Sequence, residues 1–308
     1  MKLSIIVPCY NESMSVNFFF EETTKHIEPI KRETEFLFVN DGSKDDTLTQ
    51  LKNLKLNQAN YTITILDFSR NFGKEAGILA GLENAQGDYI VIMDADLQDP
   101  PFLLPLMLSE LENGDFDSVA TYRVDRKGEP LIRSFFARKF YQIINKISDV
   151  NIVDGARDYR MMTRSMVDSI LKVKEYHRFS KGIFAWVGYK TKYMEFENVE
   201  RIAGETKWSF FKLLMYAIEG IVAFTTIPLR ISIILGMMFS IIAFFYMTFV
   251  FIKALLFGDP VAGYPSMMVV ILLLGGIQLL SLGILGEYLA KTYMEVKHRP
   301  NYIIKQKF

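Results

Sequence analysis

The sequence predicts an α/β head built on a mostly parallel sheet, followed by a hairpin of two membrane-spanning helices. Three observations predict it. Short apolar runs alternate with helix-like stretches from the first residues to Tyr122. Between Ile231 and Gly286 only Lys253 and Asp259 are charged, although the chain holds 35 Lys/Arg and 35 Asp/Glu. The zero net charge also conceals a gradient. Lys/Arg and Asp/Glu number 9 and 16 over residues 1–100, 16 and 14 over 101–200, and 10 and 5 over 201–308.

The first apolar run, LSIIVP, is too short for a signal-peptide core, and polar Tyr10-Asn11-Glu12 follows it. It reads as a buried strand, so the head is expected to stay in the cytoplasm. Strand-like runs follow at Glu35–Asn40, Tyr61–Asp67, Tyr89–Asp94 and Ser118–Tyr122. Helix-like stretches lie between them at Ser13–Ile27, Asp45–Lys55, Lys74–Asn84 and Pro101–Asn113. Asp45-Asp46-Thr47 offers capping residues, and Gly87 and Gly114 are natural stops. In such a sheet ligands bind at the carboxyl ends of the strands.

Ile231–Ile252 and Ser266–Leu285 are each long enough to cross a hydrocarbon core of about 30 Å. The loop joining them, Phe257–Pro265, has no Lys or Arg. Lys207, Lys212 and Arg230 flank the pair on one side, and Lys291, Lys297, Arg299, Lys305 and Lys307 on the other. The positive-inside rule therefore puts both ends in the cytoplasm. Trp208–Phe224 has the pattern of a helix lying in the membrane interface. The chain is expected to divide into an α/β head (residues 1–200), a juxtamembrane amphipathic region (201–228), spans at 229–256 and 266–288 joined by an external loop (257–265), and a basic cytoplasmic tail (289–308).

Composition excludes several classes. One cysteine, Cys9, rules out an internal disulfide framework, and His26, His177 and His298 lack metal-ligand spacing. Neutral charge argues against a nucleic-acid binder. Neither G-x-G-x-x-G nor a Walker-type loop is present.

The strongest local motif is Met93-Asp94-Ala95-Asp96-Leu97-Gln98-Asp99, at the end of a predicted strand. Asp94 and Asp96 can both reach one hard cation, Gln98 adds an oxygen, and substrate phosphates can complete an octahedral Mg²⁺ or Mn²⁺ site. An acidic solvated turn is the plainer alternative. Pro8-Cys9-Tyr10-Asn11-Glu12 and Val39-Asn40-Asp41-Gly42-Ser43 follow the first two strands, and Arg70 and Lys74 follow the third beside a flexible glycine. Acids there can accept from a ribose or base, an aromatic can cover a base, and Asp41-Gly42 can equally be turn chemistry.

Together, LSIIVPCYNE, FLFVNDGSKDDT, RNFGKEAGILAGLENAQGDYIVIMDADLQDPP and the two C-terminal spans resemble a family-2 glycosyltransferase of GT-A fold. More narrowly, the chain is similar to polyprenyl-phosphate glycosyltransferases, the bactoprenol glucosyltransferases and dolichol-phosphate mannose synthases. The resemblance covers essentially the whole chain. It implies that Pro8, Tyr10, Glu12, Val39, Asp41, Arg70, Lys74, Asp94, Ala95 and Asp96 hold the nucleotide sugar. Asp94, Asp96 and Gln98 would hold the metal. The basic stretch from Arg123 to Lys139 is either a solvated helix face or, as the resemblance implies, a phosphate site, with Arg123 and Arg133 the best matches. The segment Asp154-Gly155-Ala156-Arg157-Asp158-Tyr159-Arg160 resembles the family's D-x-G-x-D-F-R, with Tyr159 in place of Phe. Asp158 matches its acid/base position, with Asp154 second and Asp96 a third catalytic candidate. A salt bridge from Asp158 to Arg157 or Arg160 is the competing reading. Arg160, Arg201 and Lys207 are further acceptor-phosphate candidates, the last two within an R-x-x-G-x-[ST]-K-like segment at the membrane entry.

The implied reaction is inverting transfer of one sugar, first of all glucose from UDP-glucose, to undecaprenyl phosphate, with UDP-GlcNAc or GDP-mannose as other donors. The acceptor monoester has a second pKa near 6, so it is largely dianionic at neutral pH without a strong base. The resemblance further implies a multi-pass inner-membrane protein and a homotetramer. A processive polysaccharide synthase fits poorly, because its Q-x-x-R-W-type segment is missing. The alternative of another class is a non-catalytic membrane adaptor that keeps the fold.

Overall fold

The computed structural model describes residues 1–123, 145, 153, 155–196, 225–257 and 263–308. The chain forms two compact units, Met1–Gly220 with Arg299–Phe308, and Ile221–His298.

The first unit alternates β1 (Lys2–Cys9), α1 (Val16–Ile27), β2 (Glu33–Asn40), α2 (Thr47–Asn57), β3 (Thr62–Phe68), α3 (Lys74–Asn84), β4 (Tyr89–Ile92) and α4 (Leu104–Glu112). It continues with β5 (Ser118–Arg123), β6 (Ala156–Thr163), α5 (Arg164–Lys172), α6 (Ser180–Trp186) and β7 (Thr191–Phe196). The second unit holds α7 (Ile227–Phe257) and α8 (Tyr264–Val296), after which β8 (Ile304–Lys307) returns to the first.

Among the described residues one eight-stranded sheet runs in the order β7-β5-β6-β4-β1-β2-β3-β8. The strands β3, β2, β1 and β4 are mutually parallel, as alternating βα units require. Chain order reverses at β1, with β2 on one side and β4 on the other, and this switch point opens a crevice at the strands' carboxyl ends. The central strands are buried on both faces. Ile5, Ile6, Val7, Phe36, Leu37, Phe38, Ile65 and Val91 carry the core, each burial stabilising by about 1.5–3 kcal/mol. The Phe36 and Phe38 rings stack at 6.0 Å, and Phe20 and Tyr61 pack tilted and edge-on, respectively, around Phe36.

Two strands differ from the expected parallel pattern. β6 inserts antiparallel between β4 and β5, and its sequence ARDYRMMT lacks an alternating apolar signal because Arg157, Asp158 and Arg160 interrupt it. β8 pairs antiparallel with β3, so residues 304–307 of the expected tail form an edge strand of the head.

In the second unit α7 and α8 run 31 and 33 residues, and Ile227–Tyr246 and Leu273–Val296 are each long and apolar enough to cross a membrane. Ile233, Ile234, Phe245, Leu279 and Leu282 are exposed. A soluble core helix would bury such residues, so these apolar faces need another cover. The expected interface helix Trp208–Phe224 lies outside the described residues.

Candidate active site

The β4–β6 register pairs Ile92 with Arg160, which sets the loop after β4 beside the start of β6. Asp94 and Asp158, far apart in sequence, thereby share one cation. The Lys74 ammonium, on the first residue of α3, lies 2.7 Å from Asp94 Oδ1 and 2.7 Å from Asp158 Oδ2. Burial would lower the Lys74 pKa, but Asp158 and Asp94 outweigh it and raise it well above the ordinary lysine range. Burial would likewise raise the Asp158 carboxyl. Lys74, Lys181 and Arg160 oppose that and hold it well below the usual carboxylate range. Asp158 is therefore ionised at any physiological pH, and a weak base.

A second pair stands beside the first. Arg157 donates Nη2 and Nε to Asp99 Oδ1 at 2.9 and 3.1 Å, while the Asp94 backbone N–H donates to Asp99 Oδ2 at 3.0 Å. Asp99 is 1% exposed, and burial raises its pKa while Arg157 pulls it down. The Tyr159 hydroxyl donates to Pro100 O at 3.0 Å, so β6 clamps the acidic loop at both Asp99 and Pro100. Glu75 accepts from the Ser180 N–H at 3.0 Å and from its hydroxyl, and burial followed by the Asp158 charge raises the Glu75 carboxyl.

Along the loop, Asp94, Asp96 and Gln98 are partly exposed while Ala95 and Leu97 are buried. Two carboxylates and an amide thus share the accessible side, a hard-oxygen set that fits Mg²⁺ or Mn²⁺ with substrate phosphates completing the shell. Among the described residues no three His, Cys, Asp or Glu side chains form a ready metal cage.

The loops after β1, β2 and β3 are cross-braced. The Asp41 carboxylate is buried and accepts the Phe72 and Gly73 N–H groups at 2.6 and 2.9 Å. Burial raises its pKa against those two bonds. Asn11 N–H donates to Ser43, Glu12 N–H to Thr47, and Lys44 N–H to the Asn11 side chain. Tyr10 is left 38% exposed at the mouth.

A model of the family described as glycosyl transferase family 2 matches residues 4–171. The prophage bactoprenol glucosyl transferase homolog of Escherichia coli K12 is 42% identical over 307 residues, 99% of each chain. The bactoprenol glucosyl transferase of Shigella phage SfV is 41% identical over 305 residues, 99% of this chain and 98% of that one. This chain belongs to glycosyl transferase family 2. Among solved structures, Mycobacterium tuberculosis glucosyl-3-phosphoglycerate synthase with Mn²⁺, UDP-glucose and phosphoglyceric acid has a TM-score of 0.46 and 16% identity, covering 72% of this chain and 77% of that chain.

Within this family-2 head the residues singled out from sequence fall into distinct places. Lys74, Asp94 and Asp158 meet directly, and Asp96 and Gln98 continue the same loop. Pro8, Tyr10, Glu12, Asp41 and Arg70 sit on or beside the braced strand-end loops, Arg70 with its guanidinium 4.1 Å over the Phe72 ring. Val39 and Ala95 are buried, so their side chains serve packing. Arg160 is 3% exposed, lies 4.0 Å over the Phe184 ring and bonds Tyr193, and burial lowers its pKa to about 10. Arg123 ends β5. Arg133, Asp154, Arg201 and Lys207 lie outside the described residues.

Asp99, Glu75 and Lys181 were not among the sequence candidates, and Arg157 entered only as an ion-pair partner for Asp158. Asp158 instead pairs with Lys74, and Arg157 with Asp99. Local sequence carries no signal for these pairings, because Asp99 and Arg157 are 58 positions apart and Lys74 and Asp158 are 84 apart. Lys181 donates to Ala156 O at 2.7 Å, which steadies the start of β6 from α6.

Proposed function

We propose that this chain transfers a single hexose, first of all glucose from UDP-glucose, to the phosphate of undecaprenyl phosphate with inversion at the anomeric carbon. The observation that carries the reading is the full-length match to proteins named bactoprenol glucosyl transferase, which includes the two long apolar helices as well as the head. UDP-GlcNAc and GDP-mannose are the other donors to test.

The nucleotide would lie over the loops after β1 and β2, with Tyr10 at its mouth and Glu12 and Asp41 beneath. Asp94 and Asp96, with Gln98, would hold Mg²⁺ or Mn²⁺, which when bound supplies positive charge for the leaving diphosphate. Lys74 adds a fixed cation in the same place, at the amino end of α3. The acceptor phosphate is already an anionic nucleophile, so the site's work is positioning and charge neutralisation. Asp158, held ionised by Lys74 and Lys181, fits a residue that orients Lys74 and the sugar better than one that takes up a proton. Arg123, Arg133, Arg201 and Lys207 are assigned to phosphates of donor or acceptor, and Arg160 supports Asp158 from its buried position.

We assign α7 and α8 as a hairpin across the inner membrane, with the head cytoplasmic. Support comes from connectivity, since Met1–Gly220 and Arg299–Phe308, on either side of the helix pair in sequence, belong to one compact unit, which requires an even number of crossings. Association into tetramers belongs to the same reading. The test is transfer of radiolabelled sugar from a panel of UDP- and GDP-sugars to extracted polyprenyl phosphate, with Mg²⁺ or Mn²⁺ present. Labelled lipid from UDP-glucose supports the reading. Labelled lipid from another donor alone reassigns the sugar, and no labelled lipid from any donor favours the adaptor.

A further inference from the structure

The last residues of the chain form the outer wall of the loop that carries Arg70 and Lys74. After α8 ends at Val296, Tyr302 stacks on Phe68 with ring centroids 5.0 Å apart and planes 13° off parallel. Phe72 meets the same Phe68 ring edge-on at 5.8 Å. Tyr302 and Ile304 thereby join Val39, Leu66, Phe68, Phe72, Ala76 and Ala80 in a second apolar cluster under the β3–α3 loop. Backbone bonds close the seam, with Ser69 N–H donating to Ile303 O at 3.0 Å and the Ile65 and Phe308 pair exchanging bonds at 3.0 and 3.1 Å. The Tyr302 hydroxyl also donates to Glu83.

One residue earlier, the Asn301 amide donates to Tyr176 O at 2.9 Å. That carbonyl belongs to the segment leading into α6, whose Ser180 bonds Glu75 and whose Lys181 bonds Ala156. Two adjacent side chains of the terminal segment therefore brace two loops. One presents Phe72 and Gly73 to Asp41 and starts α3 at Lys74, and the other steadies the start of β6 next to Asp158.

We propose that Asn301 and Tyr302 are positioning residues for the active site, and that the segment Asn301–Phe308 is a strap that sets the Arg70–Lys74 loop without touching a substrate. The activity arm of this proposal rests on the function proposed above; the loop-ordering arm does not. Loss of the Tyr302 ring removes one partner from the Phe68 stack and frees Phe72 to move. The Phe72 and Gly73 amides then leave Asp41, and Lys74 loses its fixed origin.

The experiment compares the full-length wild type with Tyr302→Ala, Tyr302→Phe and Asn301→Ala. Hydrogen exchange is read over residues 69–74, and the nucleotide-sugar KM and kcat are read in the transfer assay. Tyr302→Ala is expected to speed exchange at Phe72 and Gly73 and to raise the donor KM about three- to tenfold, the range of one aromatic pair, with a smaller change in kcat. Tyr302→Phe keeps the stack and should match wild type in both readings. Asn301→Ala should speed exchange over residues 175–181 instead. Unchanged exchange over 69–74 in Tyr302→Ala overturns the proposal, as does Tyr302→Phe being as damaged as Tyr302→Ala. Should Tyr302→Ala fail to fold, Tyr302→Leu keeps apolar bulk without the planar stack, and the same readings decide. A wild type that transfers no sugar defeats the proposed function, while the exchange readings still judge the strap.

Discussion

Gly42→Ala probes how tightly the loop after β2 is packed against the loop after β3. Gly42 has φ +60°, a left-handed conformation that costs an alanine about 1–2 kcal/mol. A Cβ there would also lie 2.4 Å from Arg70 C, 2.6 Å from Asn71 N and 2.8 Å from Arg70 Cα. These are backbone atoms, so no side chain can rotate away. Overpacking of this kind adds about 1–3 kcal/mol, giving a total of about 2–5 kcal/mol. The strain is relieved when the two loops part, and parting them pulls the Phe72 and Gly73 amides away from Asp41. Gly114→Ala is the control, because Gly114 has φ +80° but a methyl at that position would meet no atom within 4 Å, which leaves only the conformational part. The assay is urea denaturation of the detergent-solubilised chains, followed by the tertiary signal of the head, together with the donor KM. Gly42→Ala should lose at least about 1 kcal/mol more than Gly114→Ala, and its donor KM should rise about tenfold or more. Equal stability losses and an unchanged KM would refute the packed-loop argument.

Four further outcomes are expected. Asp158→Asn should lower kcat by about 10²-fold or more while the acid limb of the pH–rate profile stays near 6, the pKa of the acceptor phosphate; a limb that vanishes in the variant would make Asp158 the base after all. Because the folded Asp158 pKa is depressed, its stabilisation is present above the ordinary carboxylate pKa of about 3.9 and is lost as pH falls through the lower folded value, so the melting-temperature deficit of Asp158→Asn should shrink below about pH 4. Lys74→Met leaves Asp94 and Asp158 facing each other without their shared cation, and should cost roughly 1 kcal/mol of stability after allowance for its 42% exposed side chain, with a larger loss of transfer activity. A double-mutant cycle of Asp99→Asn and Arg157→Ala should give a coupling of about 1 kcal/mol or more by denaturation, whereas independent effects would deny the clamp.

The βα alternation was legible because it is local. LSIIVP, FLFVN and YIVI are short apolar runs closed by turn residues, and the pattern placed α3 at Lys74–Asn84, the bounds found. Asp94, Asp96 and Lys74 were legible as candidates because carboxylates and cations at strand ends have few structural uses there, whereas Asp158 was legible only through the resemblance of its segment to the family's D-x-G-x-D-F-R. β6 was not legible as a strand, since Arg157, Asp158 and Arg160 break its apolar alternation. Asp99 read as one more acid in an acidic turn, though it is the buried anchor of that turn.

By itself the sequence determined the kinds of parts in this protein. These are a parallel α/β head with an acidic loop after its fourth strand, and two helices too apolar for water, all set by periodicity and side-chain chemistry within windows of about 20 residues. Only the tertiary structure decided which parts meet. Antiparallel insertion of β6 beside β4 brings Asp158 to Lys74, and the return of β8 to β3 turns the end of the chain into a wall of the head. The physical reason is that such pairings are chosen by the free energy of closing the whole sheet. Residues 84 or more positions apart leave no mark of that choice in their own neighbourhoods.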